Sequence, residues 1–427
     1  MVSMNLKICL YEDKTYRNFY PLTLTRPVYL LRPGIEPLYN KVGRHFSDAD
    51  LCLAVREQMA PLLAEREREM PVNIIKREAD QDVLFLNGRI RDYGNLPELI
   101  PQCRISTLFT TENGTVALLL KAEEIEAVPA IATPSDYARH VEGKREELPE
   151  ADTTATLYSY CWDIMADIGA RIKEDFSYRM GSAGAPQAVR VADGAYLMNE
   201  SDIYLGHGVR VNPGAILDAS SGPVYIGDNS QIDSLAIVRG PCYIGPNTIV
   251  ARGVISGSSI GHTCRVGGEV EESIFHEYVN KHHEGFIGHS VVGAWVNFGA
   301  LTTNSDLKNN YSVIRVTLNG QQVDTGSIKV GSFIGDHTKF GIGTLLTTGI
   351  NVGTCCNVFG GALISDKEVG SFRWGSSGSF VEHDFDKAMD TNRKVMSRRG
   401  ATLSPNEVSA LQSVFQNAIS DDGVIGL

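Results

Sequence analysis

The sequence predicts an α/β domain, then a left-handed parallel β-helix, then a pair of C-terminal helices. Three observations predict this order. The stretch Leu6 to Tyr11 opens the chain as a strand. From about Val189, steps of an apolar residue followed by glycine recur, as at Ile226-Gly227, Ile244-Gly245, Ile260-Gly261, Val266-Gly267, Ile287-Gly288, Val292-Gly293, Ile334-Gly335 and Val352-Gly353. Steps of six recur, and eighteen residues separate Ile226 from Ile244 and Ile334 from Val352, which is three hexapeptides or one triangular turn. From Phe380 the steps stop, and 384–398 and 405–418 read as helices. The expected domains are therefore 1–180, 190–375 and 380–420.

Composition sets the outer limits. With 427 residues, 43% hydrophobic and 21% charged, the chain has room for two or three ordinary domains. Most of its 42 glycines lie between residues 201 and 375, which marks a boundary shortly before 201. The longest apolar run falls short of the ~18 residues of a membrane span. The opening MVSMNLKICLYEDK has too short an apolar stretch for a signal peptide, so a cytoplasmic protein without a membrane partner is expected. A formal charge of −12 argues against a nucleic-acid partner, whose phosphates want a basic face, but not against small anionic substrates. The 8 cysteines include no CxxC pair and read as buried thiols of a reducing compartment.

Within the first domain, residues 15–42 hold Arg17, Arg26, Arg32 and Lys41 in a proline-containing loop that leads toward a helix expected from Ile35. Cations at a strand-to-helix turn make a phosphate cradle, because backbone N–H groups and the helix dipole add to the side chains. The plainer alternative is a loop whose arginines pair with acids. Leu51 to Val55 and Asp82 to Leu86 read as strands, and Pro61 to Arg68 as a short helix. Ser106 to Thr111 and Thr115 to Lys121 form a hairpin around Asn113-Gly114, because Asn-Gly favours a turn with positive φ. A helix is expected around Asp136 to Lys144 and another from Cys161 to about Phe176. Asp163 is either a metal ligand or a carboxylate near that helix's N-terminus.

Pro21-Leu22-Thr23-Leu24-Thr25-Arg26-Pro27 resembles the N-terminal segment of sugar-1-phosphate nucleotidyltransferases. The resemblance implies a Rossmann-like nucleotidyltransferase domain that uses Mg²⁺. Three positions depart from the usual pattern. Glu12-Asp13-Lys14 replaces the glycines of the phosphate loop, Val28 replaces a lysine, and Asn87 replaces a magnesium-binding aspartate. The fuller string, through Leu31-Arg32 to Gly34, resembles an alternative bacterial branch of the bifunctional enzymes that make UDP-N-acetylglucosamine. There Arg26, Arg32 and Lys41 would carry the phosphates, with Arg17 near them. Asp92 and Asp163 would stand in as magnesium ligands for Asn87, which is a poor hard-cation ligand.

The stretch Asn280 to Asn310 combines adjacent histidines, three apolar-glycine steps and a polar insertion from Asn304. A base beside a regular coil, with a loop to close over it, suits acyl transfer. This block resembles the glucosamine-1-phosphate acetyltransferase half of the same bifunctional family, and the likeness runs from residue 4 to about 375. Counting back from Ile287-Gly288 places His283 on the family's catalytic histidine, with Phe286 in place of a tyrosine. The resemblance implies acetyl-CoA as co-substrate, a homotrimer, and Asn297, Asn304 and Lys308 around the substrate. An imidazole with a pKa near ~6.5 suits a base taking a proton from an attacking amine. Lys281 would meet the sugar phosphate, and backbone N–H groups around Ala300 the thioester oxyanion. His282 as the base, or zinc at His282-His283, are the alternatives there. Three functions remain open from sequence: a bifunctional transferase, an acyltransferase with a nucleotide-binding but non-catalytic first domain, and a non-catalytic β-helix protein.

Overall fold

A computed structural model of the chain describes residues 5–47, 50–142, 145–182 and 189–416. Lys144 and Ala418, the expected ends of two helices, lie outside them. The first domain is built on a six-stranded sheet in the order Asp50–Ala54, Leu6–Tyr11, Asp82–Asn87, Gly114–Leu120, Thr107–Thr111, Glu150–Asp152. Leu6–Tyr11 is buried throughout because it runs parallel between Asp50–Ala54 and Asp82–Asn87. Strands covered on both faces read as apolar runs. The Asn113-Gly114 hairpin forms as expected, with Gly114 at φ +115°. The helix expected from Ile35 is instead a 3₁₀ turn, Leu38–Lys41, and a single α-turn, Val42–His45. Pro33 and Pro37 explain this, since proline disfavours helix in the residue before it.

The repeat forms a parallel β-helix, with ladders stacked along its length. One ladder has nine strands and carries the buried column Leu205, Ile226, Ile244, Ile260, Phe275, Val292, Ile334, Val352 and Val369. Its turns are not all eighteen residues long. Ile226 pairs with Ile244, but Ile244 pairs with Ile260 and Ile260 with Phe275, so the middle turns are shorter. One corner of each turn is held by a left-handed residue. Asn229, Asn247, Thr263, Tyr278, Trp295, His337, Cys355 and Phe372 follow one another there at φ between +53° and +61°. A left-handed non-glycine residue costs about 1–2 kcal/mol. Part of that cost is offset by stacking, because the Tyr278 and Trp295 rings lie 3.9 Å apart and 7° from parallel.

Between Val292 and Ile334 the chain leaves the coil as an arm. Its antiparallel hairpin, Arg315–Leu318 with Gln321–Asp324, does not close over the histidines. Ile314, Val316, Val330 and Phe333 instead pack into the core of the first domain. Where the arm returns, a side chain at Gly331 would meet the Gly288 carbonyl oxygen at 1.9 Å, so only glycine fits.

The two C-terminal helices are capped by their own side chains. Asp384 accepts from Lys387 N at 2.9 Å, opening Phe385–Ser397, and Ser404 accepts from Glu407 N at 3.1 Å, opening Pro405–Phe415. Met389, Met396, Leu411 and Val414 pack against Trp295, Cys355 and Phe372 of the coil. The last helix also reaches the first domain, where Asn406 donates to Glu65 at 2.8 Å.

The domains meet on buried charge. Arg26 donates to both oxygens of Asp336, at 2.7 and 2.6 Å, and Thr25 Oγ1 donates to the same carboxylate at 2.7 Å. Burial alone would raise the Asp336 pKa, but the Arg26 charge and these hydrogen bonds pull it below the usual carboxylate value. Removing one partner of such a pair strands the other in low dielectric. Asp336→Ala is therefore expected to destabilise the protein by about 3–5 kcal/mol. A thermal melt within a degree or two of wild type would contradict this.

Candidate functional site

Outward side chains alternate along the strand Asn280–Lys281 and its corner. Val279 points into the core and Asn280 points out. Lys281 folds into the corner, where Nζ donates to the carbonyls of Gly267 at 2.8 Å and His283 at 3.0 Å. Burial lowers its pKa to about 8. Lys281 is thus a buried bracket of the corner, not the free cation expected to meet a sugar phosphate. His282 is half-buried, and burial, His283 and Arg265 all lower its pKa. His283 is exposed, with its ring 5.3 Å from that of His282, edge to face. Asn297 sits one turn along from Asn280 and accepts from its Nδ2 at 2.8 Å.

The other expected residues near the coil serve the backbone. Asn304 is buried, its amide bridging Gly288 N at 2.9 Å and Gly288 O at 3.0 Å, so it holds adjacent turns together. Lys308 donates to Val313 O at 3.0 Å within the root of the arm. Ala300 lies at a half-buried corner, where its carbonyl accepts from Gly343 N at 2.8 Å.

The arm is clamped by His289. Its Nδ1 lies 2.7 Å from Asp306 Oδ2 and its Nε2 lies 3.1 Å from Glu272 Oε2. Burial would lower the His289 pKa, but hydrogen bonds to Asp306 and Glu272 raise it to about 9. At its far end Asn319 donates to Arg17 O at 3.2 Å, and Asn319 N and Gly320 N each donate to Glu368 at 2.8 Å.

Sequence reasoning missed a groove on the outward face of the coil. Arg265, Asn280, Asn297 and Lys339 follow one another along one ladder. The end of the Phe385–Ser397 helix lies beside them with Val395, Arg398 and Arg399, enclosing a cavity of about 490 Å³. The signal was present in the sequence, but unequal turn lengths and the arm hide the alignment of Arg265 with Lys339.

The phosphate-cradle cations do not converge. Arg26 is spent on Asp336 and lies 3.6 Å from Glu277. Lys41 is buried against Asp175 at 2.8 Å. Arg32 is half-buried beside His276 and Ile274 of the coil, facing the domain boundary. Arg17 stands in the 3₁₀ turn Lys14–Phe19. Beyond the strand ends, where a nucleotide would be expected, acids and arginines pair with one another. Glu12 accepts from Val28 N at 2.9 Å and Arg56 Nε at 3.1 Å. Asp13 takes Arg89 Nη2 at 2.6 Å and Asn87 Nδ2 at 2.9 Å.

The expected magnesium ligands each accept backbone N–H groups. The Asp163 carboxylate accepts from Ser159 N and Tyr160 N, both at 2.9 Å, as the cap of the Cys161–Ala166 helix. Asp92 accepts from Gly94 N at 2.9 Å in a tight turn. No group of three metal-ligating side chains occurs among the described residues.

Residues 8–182 match the sugar nucleotidyl transferase family, and residues 223–255 match the bacterial transferase hexapeptide repeat. A bifunctional sugar-1-phosphate nucleotidylyltransferase/acetyltransferase of Sulfurisphaera tokodaii is 33% identical over 30% of this chain and 30% of its own. Bifunctional protein GlmU of Methanococcus maripaludis is 32% identical over 30% of each chain. That of Bartonella quintana is 28% identical over 44% of this chain and 35% of its own. The chain thus spans about a third of the length of these relatives. It joins a sugar nucleotidyl transferase domain to a hexapeptide-repeat β-helix.

The His289 clamp predicts a pH dependence. A raised pKa stabilises the fold fully below the unfolded value of ~6.5, and this contribution is lost as pH rises to about 9. Wild type should out-melt His289→Gln at pH 6, by a margin that shrinks above 6.5 and is gone beyond 9. A margin that grows with pH would contradict the clamp.

Proposed function

We propose that the protein is a bifunctional transferase of sugar-nucleotide synthesis in the cytoplasm. Residues 190–375 N-acetylate an amino-sugar 1-phosphate, with glucosamine 1-phosphate as the leading candidate, using acetyl-CoA. Residues 1–180 then join the product to a nucleotide, with UTP as the leading donor. The observation that carries the reading is the fusion, in one chain, of a sugar nucleotidyl transferase domain to a hexapeptide coil on which His283 is exposed beside a half-buried His282. The names of the relatives support both halves.

In the acetyl step the sugar amine attacks the thioester carbonyl. His283 accepts the proton that the nitrogen loses and passes it to the departing sulfur as the C–S bond breaks, so coenzyme A leaves as its thiol. The N–H of Ala300 is the leading donor to the oxyanion. In the nucleotidyl step the sugar phosphate attacks the α-phosphorus of the nucleotide and pyrophosphate leaves. Magnesium enters with the triphosphate, as part of that substrate.

A specific observation favours a second reading for the first domain. Glu12 with Arg56, and Asp13 with Arg89, fill the strand ends with paired charge, as a domain that binds a nucleotide without turnover would tolerate. Incubation with glucosamine 1-phosphate, acetyl-CoA, UTP and Mg²⁺, followed by mass spectrometry, separates the two. UDP-N-acetylglucosamine supports the bifunctional reading. N-acetylglucosamine 1-phosphate alone supports the second, and neither product rejects both.

We also infer a homotrimer. Leu301, Ile342, Leu345 and Leu363 expose apolar surface on the coil, and such surface is covered by copies of itself about a closed axis. Mass photometry should give three times 46.6 kDa, and a stable monomer at micromolar concentration would reject the assembly.

His283→Ala should lower acetyl transfer by about 10²–10⁴ while leaving the melting temperature unchanged. If His282→Ala shows that loss and His283→Ala does not, the base is His282.

A further inference from the structure

A cluster of cations without a counterion lies in the groove between the Phe385–Ser397 helix and the coil. The chain as a whole is acidic, with 51 carboxylates against 39 Lys and Arg. The groove reverses that sign: Arg265, Lys339, Arg398 and Arg399 line it, and no acid among the described residues does. They come from separate places, Arg265 and Lys339 from different turns of the coil and Arg398 and Arg399 from the end of the helix. None of the four forms an ion pair among the described residues. Lys339 is tied down, its Nζ donating to Trp295 O at 2.9 Å and His337 O at 2.8 Å, so it supplies charge to the floor. Burial, Arg265 and Arg398 all depress the pKa of Arg399, as like charges held together would.

Cations at a helix C-terminus complement its dipole, which accounts for Arg398 and Arg399. It does not account for Arg265, which the fold brings up from another element. The remaining polar lining has its own chemistry. Asn280 Nδ2 donates to Asn297 Oδ1, which leaves Asn280 Oδ1 to accept and Asn297 Nδ2 to donate. An adjacent acceptor and donor suit a hydroxyl-bearing ring.

We propose that this groove binds a phosphorylated ligand with a hydroxylated ring: its phosphoryl group on Arg265, Arg398 and Arg399, its hydroxyls on Asn280 and Asn297. A sugar phosphate and a nucleotide share this chemistry. The proposal rests on the proposed function in one respect, since Asn297 is also the residue expected around the sugar phosphate of acetyl transfer, and its test reads the groove directly.

The full-length protein is titrated with inorganic phosphate, glucosamine 1-phosphate and UTP, without added metal, while amide exchange is followed in residues 385–399. All three should slow exchange in that helix. Arg265→Ala and Arg399→Ala should each weaken binding at least about tenfold, and Arg399→Lys should recover part of the loss. Glucosamine 1-phosphate should bind more tightly than phosphate, and Asn297→Ala should remove the difference. If UTP binds more tightly still, the ligand is a nucleotide; if not, it is a sugar phosphate. Unchanged exchange with every probe, or equal affinity in Arg265→Ala, overturns the proposal. So does a fall in oligomer mass in Arg265→Ala, because the cations would then face a neighbouring copy. Failure of acetyl transfer on every amino sugar would leave these readouts intact, so the two conclusions fail separately.

Discussion

One carboxylate holds the molecule together. Asp336 takes Thr25 and Arg26 from the first domain, and its Oδ1 also accepts from Ala294 N at 2.8 Å, one turn back along the coil. A buried charge is tolerated only when its lone pairs are used, and here they are. The next residue extends the junction. His337 Nε2 lies 3.1 Å from Glu407 Oε1, and Arg66 reaches the same oxygen at 3.4 Å, which ties the last helix to the coil and to the first domain. Two adjacent side chains on one corner therefore fix three parts of the chain against one another. Arg26 looked like a phosphate ligand because its charge is plain in the sequence and its partner lies far away.

The coil's other features follow from how its corners are made. Left-handed corners place Tyr278, Trp295 and His337 in one column, and their rings stack along it. This stack carries the seat of the C-terminal helices, which pack on Trp295. The helices in turn bring Arg398 and Arg399 to Arg265. The cationic groove is thus a product of corner geometry, turn length and helix docking together. The insertion that resembled a lid is a strut, because Ile314 and Val316 find their apolar partners in the first domain and not over the histidines.

In the first domain, ends of parallel strands are where such sheets place ligands. This chain fills the space with Glu12–Arg56 and Asp13–Arg89. Asn87 fits the same pattern: it bridges Asp13 and Thr115 O and accepts from Arg89 N at 3.0 Å. The residues that depart from the nucleotidyltransferase pattern are therefore partners of one another. Glu12-Asp13 in place of glycines, and Asn87 in place of aspartate, form one network of paired charge.

What the sequence determined by itself was local. The apolar-glycine steps announced the coil because hexapeptide corners repeat within a few residues, and Asn113-Gly114 announced its hairpin because turn geometry is set by adjacent φ and ψ. The strand Leu6–Tyr11 and the two C-terminal helices were legible for the same reason. What the tertiary structure decided was the partner of each charged side chain. Lys281 turned inward to two carbonyls, Lys41 found Asp175, Asp163 capped its own helix, and Arg26 met a carboxylate from the far end of the coil. A charge declares its sign in the sequence, but its burial and its counterion are set by contacts between residues distant in the chain, which no local pattern encodes.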